Sequence, residues 1–162
     1  MRYLLILSSL LWISCNPPKE TGDDKGGLDF ERIAAKIISQ ADVQAGERVL
    51  IVTDPGRFDP LVSYLKEEIE ERDAKYLGTE SLGKSANPEW NTDFVMGLQN
   101  RAGEELANYM MEVDLGIMLP GPTPVDIVYD GMQKVLKRGS GRTIHFHWQG
   151  AYDLNGKLFE PD

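Results

Sequence analysis

Apolar residues along most of this chain repeat with one of two periods. Leu28, Phe30, Ile33, Ala34, Ile37, Ile38 and Ala41 fall at helical spacing, which predicts an amphipathic helix over Asp29 to Ala41 with Asp29 at its cap. The run Val49-Leu50-Ile51-Val52 is continuous rather than periodic. It follows Gly46 and ends at Asp54-Pro55-Gly56, as expected of a strand at 48–53 buried on both faces. Asp59-Pro60 supplies a cap and a proline for the first helical position, and Leu61, Val62, Leu65 and Ile69 form the stripe of a second helix ending near Arg72. Its outer side carries Lys66, Glu67, Glu68, Glu70 and Glu71, a solvated face rather than a carboxylate pair for acid–base work.

Ala74 to Leu77 predicts a second strand, and the period is then lost. Gly78 to Asn91 is rich in Gly, Ser, Asn and Pro and reads as a loop. A helix is expected over Arg101 to Met111, with Leu106, Tyr109 and Met110 inward. A third strand is expected at Val113 to Leu119, stopped by Pro120-Gly121-Pro122. Thr123-Pro124-Val125-Asp126 has the form of a capping box, with a hydroxyl cap, proline first and carboxylate third. Ile127, Val128, Met132, Val135 and Leu136 are the stripe of the helix it opens. Gly139 closes that helix, and Arg142 to Trp148 is the fourth strand. Strands alternating with helices in this way imply an α/β fold: a Rossmann-like sheet of about four mainly parallel strands with helices on both faces.

The front of the chain follows neither period. Arg2 precedes an apolar stretch from Tyr3 to Ile13, and Ser14 stands before Cys15, the single cysteine of the 162 residues. This is the layout of a secretory signal, and eleven residues are too few to cross about 30 Å of hydrocarbon. The end of the stretch resembles the lipobox of bacterial lipoproteins, although Trp12 stands where Leu is usual. The resemblance implies acylation of Cys15 and attachment to a membrane of the cell envelope, because multiple acyl chains anchor durably. A plain secreted protein and a buried core cysteine are the competing readings. Residues 16–27 (NPPKETGDDKGG) hold no large apolar side chain and read as a flexible tether. Three parts follow: signal 1–14, tether 15–27, α/β domain 28–162.

Charge narrows the field. Seventeen basic against 26 acidic side chains, formally −9, argue against a nucleic-acid partner, which requires a basic face. One cysteine excludes an intramolecular disulfide and a cysteine-based zinc cluster. Ligands of open α/β sheets bind beyond the carboxyl ends of the strands, which singles out two loops, Asp54 with Arg57 and Gly121 with Thr123. Neither carries GxGxxG or GxxxxGK[ST], and chain punctuation explains their Pro and Gly equally well. No GxSxG elbow is present. His145 and His147 are two apart on the predicted fourth strand, so both would face one side. They could share a metal if Asp153 or Glu160 folded back, or simply pack at the sheet edge. Trp90, Trp148, Tyr152 and Phe159 read as packing residues, with a recognition surface as the alternative.

Taken together, the helix, the stretch Val43-Gln44-Ala45-Gly46-Glu47-Arg48-Val49-Leu50-Ile51-Val52 and the elements after it resemble the opening of the thermophilic-type metallo-aminopeptidases, the aminopeptidase T group. The likeness covers about residues 28–150 and rests on a short hydrophobic "GxxVLI" motif. It implies a non-catalytic N-terminal domain, with two divalent metal ions held by Glu, His and Asp ligands of a later C-terminal domain. No position up to Asp162 receives those ligands, and 158–162 lacks a terminator of its own. Two expectations result. Either the chain is the front of an exported peptidase-like protein, meeting a C-terminal domain or a second copy of itself, or it is a lipid-anchored binding module acting alone. In neither does the chain as given cleave peptides.

Overall fold

The computed structural model describes residues 28–56, 58–83, 87–139 and 141–146. Within them the order is α1 (Phe30–Ala41), β1 (Arg48–Thr53), α2 (Asp59–Glu71), β2 (Lys75–Ser81), a 3-10 turn (Pro88–Trp90), α3 (Asp93–Gln99), α4 (Gly103–Tyr109), a second 3-10 turn (Met110–Glu112), β3 (Leu115–Met118), α5 (Ile127–Lys137) and β4 (Arg142–His145). The strands form one sheet in the order β2-β1-β3-β4, and every pairing is parallel. The fold is therefore α/β and Rossmann-like, as the alternation of periods predicts.

The central strands explain why the apolar run at 49–52 has no period. Val49 and Ile51 face one layer, with Leu115, Ile117 and the inner stripes of α1 and α2. Leu50 and Val52 face the other, with Val95 and Leu98 of α3, Leu106 of α4 and Val128, Met132 and Val135 of α5. All four β1 side chains are fully buried, each contributing about 1.5–3 kcal/mol by removal from water. Helices thus cover both faces, and the chain changes face between α2 and α3.

That change of face departs from the expected loop. β2 does not end at Leu77 but runs on to Ser81, across a bulge where Val49 pairs with Tyr76 and Leu50 with Gly78. Gly78 has φ +129°, and a Cβ there would meet Val95 Cγ2 at 2.5 Å and Thr92 Oγ1 at 2.6 Å. The glycine marks a close approach by another segment, not a turn. Trp90 packs in the first layer and Val95 in the second, so the connection wraps the β2 edge. Thr92 caps α3, accepting from the Val95 amide while its hydroxyl donates to the Leu77 carbonyl.

Two caps also differ from expectation. Phe58 is the cap of α2, and Asp59 lies inside the helix, its Oδ1 accepting from the Gly56 amide at 2.9 Å. The cap of α5 is Asp126, not Thr123, and the Asp126 carboxylate accepts from the Thr123 amide and hydroxyl at 2.6 and 2.8 Å. Ile127 consequently sits before the inner stripe begins and is 61% exposed. Asp29 caps α1 as predicted, accepting from the Arg32 amide.

The amino ends of the strands are tied by charge. Asp114, just before β3, takes a fork from the Arg48 guanidinium, both bonds 2.9 Å, and a third bond from the Arg48 amide. Arg142 on β4 reaches the α1 carboxyl end at the Ala41 carbonyl, 2.7 Å, and pairs with Glu47. These are geometrically specific bidentate contacts, and they leave the carboxyl ends as the edge free for other use.

Candidate functional site

A sheet of order 2-1-3-4 has its switch point between β1 and β3. The loop after β1 turns into α2 on one face, the loop after β3 toward α5 on the other, and a crevice opens where they part. Both loops singled out from sequence leave the sheet here. Their relation could not be read from the chain. Gly121 has φ +123°, and a Cβ built on it would overlap the Asp54 Cβ. Gly83, which follows β2, lies against Pro55 and Asp54 Oδ1. The loops after β2 and β3 therefore both close on Asp54 in the loop after β1, itself exposed.

Two amides of these loops are already occupied. Gly56 donates to Asp59 and Thr123 to Asp126, so two N–H groups that could face an anion at the crevice are spent on carboxylates of the protein. Thr53 is fully buried, and its hydroxyl bonds the Asp54 carbonyl at 3.3 Å. The rim carries the acidic residues Asp54, Asp59 and Asp126. Among the described rim residues, these carboxylates disfavour a phosphate. Arg57 lies outside the described residues.

At the far side of the crevice, residues of β4 alternate between layers. Ile144 packs in the α1/α2 layer, and Phe146 meets the ring of Phe58 edge-on, centroids 5.8 Å apart. Between them, His145 sets its ring edge-on against Tyr129 of α5, centroids 5.5 Å apart. His145 is thus packed at the sheet edge. His147, Trp148, Tyr152, Asp153, Phe159 and Glu160 lie outside the described residues, as does Cys15. Among the described residues no three His, Cys, Asp or Glu side chains gather as metal ligands. Trp90 is buried in the core as the packing reading expected.

One residue escaped sequence reasoning altogether. Glu80, near the carboxyl end of β2, is only 8% exposed. It pairs in register with Val52 and accepts a hydrogen bond from Gln99 Nε2 of α3 at 3.1 Å. Burial pushes its carboxyl up from the ordinary range, and the Gln99 bond draws it partly back. No pattern announced it, because Thr79-Glu80-Ser81 follows a glycine and has the composition of a loop. Earlier on the same strand, Tyr76 and Thr79 join hydroxyls at 2.7 Å, and burial pushes the Tyr76 phenol up as well.

Comparison with family models, curated proteins and solved structures found no match for this chain.

Proposed function

We propose that this chain is a lipid-anchored protein of the bacterial cell envelope whose α/β domain binds and positions without performing chemistry. It stands as the N-terminal domain of an exported peptidase-like protein. The two divalent metal ions of such an enzyme belong to a catalytic domain outside this chain. The observation that carries the anchored part is the coincidence of the single cysteine with the end of the only signal-like apolar stretch. The non-catalytic part is supported by the crevice, where two neighbouring loops close on the exposed Asp54 and the Gly56 and Thr123 amides are taken up internally. Positioning and transition-state stabilisation both need donors left free for the reacting group.

The exposed pair Val125 and Ile127, 90% and 61% accessible, lies on the same rim. It favours a second reading in which the domain acts alone as a protein-interaction module, held to the membrane by its acyl chains.

The test is the chemistry of the mature N-terminus in bacteria expressing the full-length gene. Mass spectrometry is expected to find acylated Cys15 as the first residue, and Cys15→Ala to leave the protein in the soluble fraction. Palmitate incorporation by the Cys15→Ala protein would sink the anchored reading. Cleavage of aminoacyl substrates by the purified chain with zinc or cobalt would sink the non-catalytic one.

A further inference from the structure

The connection between β2 and α3 is built differently from the rest of the core. α3 has only seven residues, too few to be stable apart from what it packs on. Thr92 pins its start, and its last residue, Gln99, is exposed but turns its amide inward to the Glu80 carboxylate oxygen. The surrounding layer is Val52, Leu77, Val95 and Leu98, all buried. A carboxylate offers about four acceptor positions, and Gln99 fills one.

We propose that Glu80, buried where α3 packs on β2, is a proton-operated latch: α3 stays seated on the sheet while the Glu80 carboxyl carries a proton and loosens when that carboxyl ionises, with the Gln99 bond opposing the release. Among the described residues, the charged groups of the packed elements lie away from Glu80 or are engaged elsewhere. On α3 the charged side chain is Asp93, at the end opposite Gln99, and the 3-10 turn carries Glu89. β1 contributes Arg48 at its amino end, engaged by Asp114. On the other face of the sheet, Lys66 of α2 lies over the Tyr76 ring at 5.7 Å. Arg101, just beyond α3, donates to the Gly97 carbonyl and stacks on Tyr109 at 4.1 Å. Among the described residues, the state of Glu80 is governed by desolvation against the Gln99 bond. Ionisation therefore puts a charge into an apolar layer where, among the described residues, Gln99 is the donor, a cost relieved by moving α3 aside and letting water reach the carboxylate. The loosened state uncovers the carboxyl end of β2, beside the crevice.

The experiment is an NMR titration of the full-length chain in neutral detergent, with the side-chain carboxyl carbons labelled. Hydrogen-exchange protection of residues 93–99 is followed in parallel, corrected for the intrinsic effect of pH. Glu80 is expected to titrate above the ordinary carboxylate range. Protection of α3 should then fall by up to about tenfold per pH unit between the ordinary carboxylate range and that midpoint and level off above it, while protection of α1 stays flat. Glu80→Gln, neutral at every pH, is expected to keep α3 protected throughout. Gln99→Met is expected to move the Glu80 midpoint further up. A Glu80 midpoint at or below the ordinary range overturns the latch, as does α3 protection independent of pH in the unmodified chain. The titration of the unmodified chain decides the matter even if neither variant folds.

Discussion

Asp54 and Gly121 make a contact that neither residue type announces. An aspartate after a buried strand and a glycine between two prolines each serve as punctuation, and both also suit a ligand loop. The structure adds that the glycine leaves room for the aspartate. Gly121→Ala should therefore cost more than the left-handed backbone penalty alone, roughly 2–4 kcal/mol once the overlap with Asp54 is included. Urea unfolding measures it, and the contact can be isolated by a double-mutant cycle with Asp54→Gly. The second substitution removes the colliding atom, so the pair should lose less than the sum of the singles. Strict additivity would mean that the two loops do not press on each other. The positions of both loops at the carboxyl edge were legible from strand direction. Their mutual contact was not, because it depends on a backbone angle and on the spacing of two strands, Arg48–Thr53 and Leu115–Met118, that are distant in the chain.

At the scale of elements, the informative case is the stretch from Gly78 to Gln99. α1, β1 and α2 could be read because their burial is regular, either one stripe of a helix or both faces of a strand. β2 lies at the sheet edge and continues through Thr79 and Glu80, two buried polar residues, and periodicity does not detect buried polar positions. α3 follows with one turn fewer than a sequence window needs. What seats it is Thr92, which caps the helix and also bonds the Leu77 carbonyl at the bulge. Thr92→Val keeps the shape and removes both bonds. It is expected to cost about 1–2 kcal/mol, since one partner is a helix amide and the other a carbonyl in a half-buried setting. The loss should appear locally, as reduced exchange protection of 93–99 and of the β2 amides beyond Gly78, with α1 and β1 unchanged. Uniform loss of protection across the sheet would contradict this, placing α3 in the same cooperative unit as the core.

For the whole molecule, two carboxyls at opposite ends of the sheet link stability to pH in opposite directions. Asp114 is held below its ordinary value by the Arg48 hydrogen bonds, against a smaller opposing effect of burial. Its folded form binds a proton less readily than the unfolded chain does. It therefore adds stability above its unfolded pKa, and that stability is lost as pH falls through the depressed folded value. Glu80 is raised by burial, so its contribution is complete below the unfolded pKa and is lost as pH rises through the folded one. About a third of each side chain of the Arg48–Asp114 pair remains exposed, so screening limits its worth to about 1 kcal/mol despite the fork geometry. Thermal unfolding followed from acid to neutral pH should then show an acid limb governed in part by Asp114 and a decline toward neutrality governed in part by Glu80. Asp114→Asn should flatten the first limb and leave the second. Glu80→Gln should do the reverse, and because the residues sit at opposite strand ends their effects should add. If Asp114→Asn instead changed the neutral limb, the amino-end clasp and the α3 contact would be one coupled system, and the sheet would transmit protonation from one edge to the other.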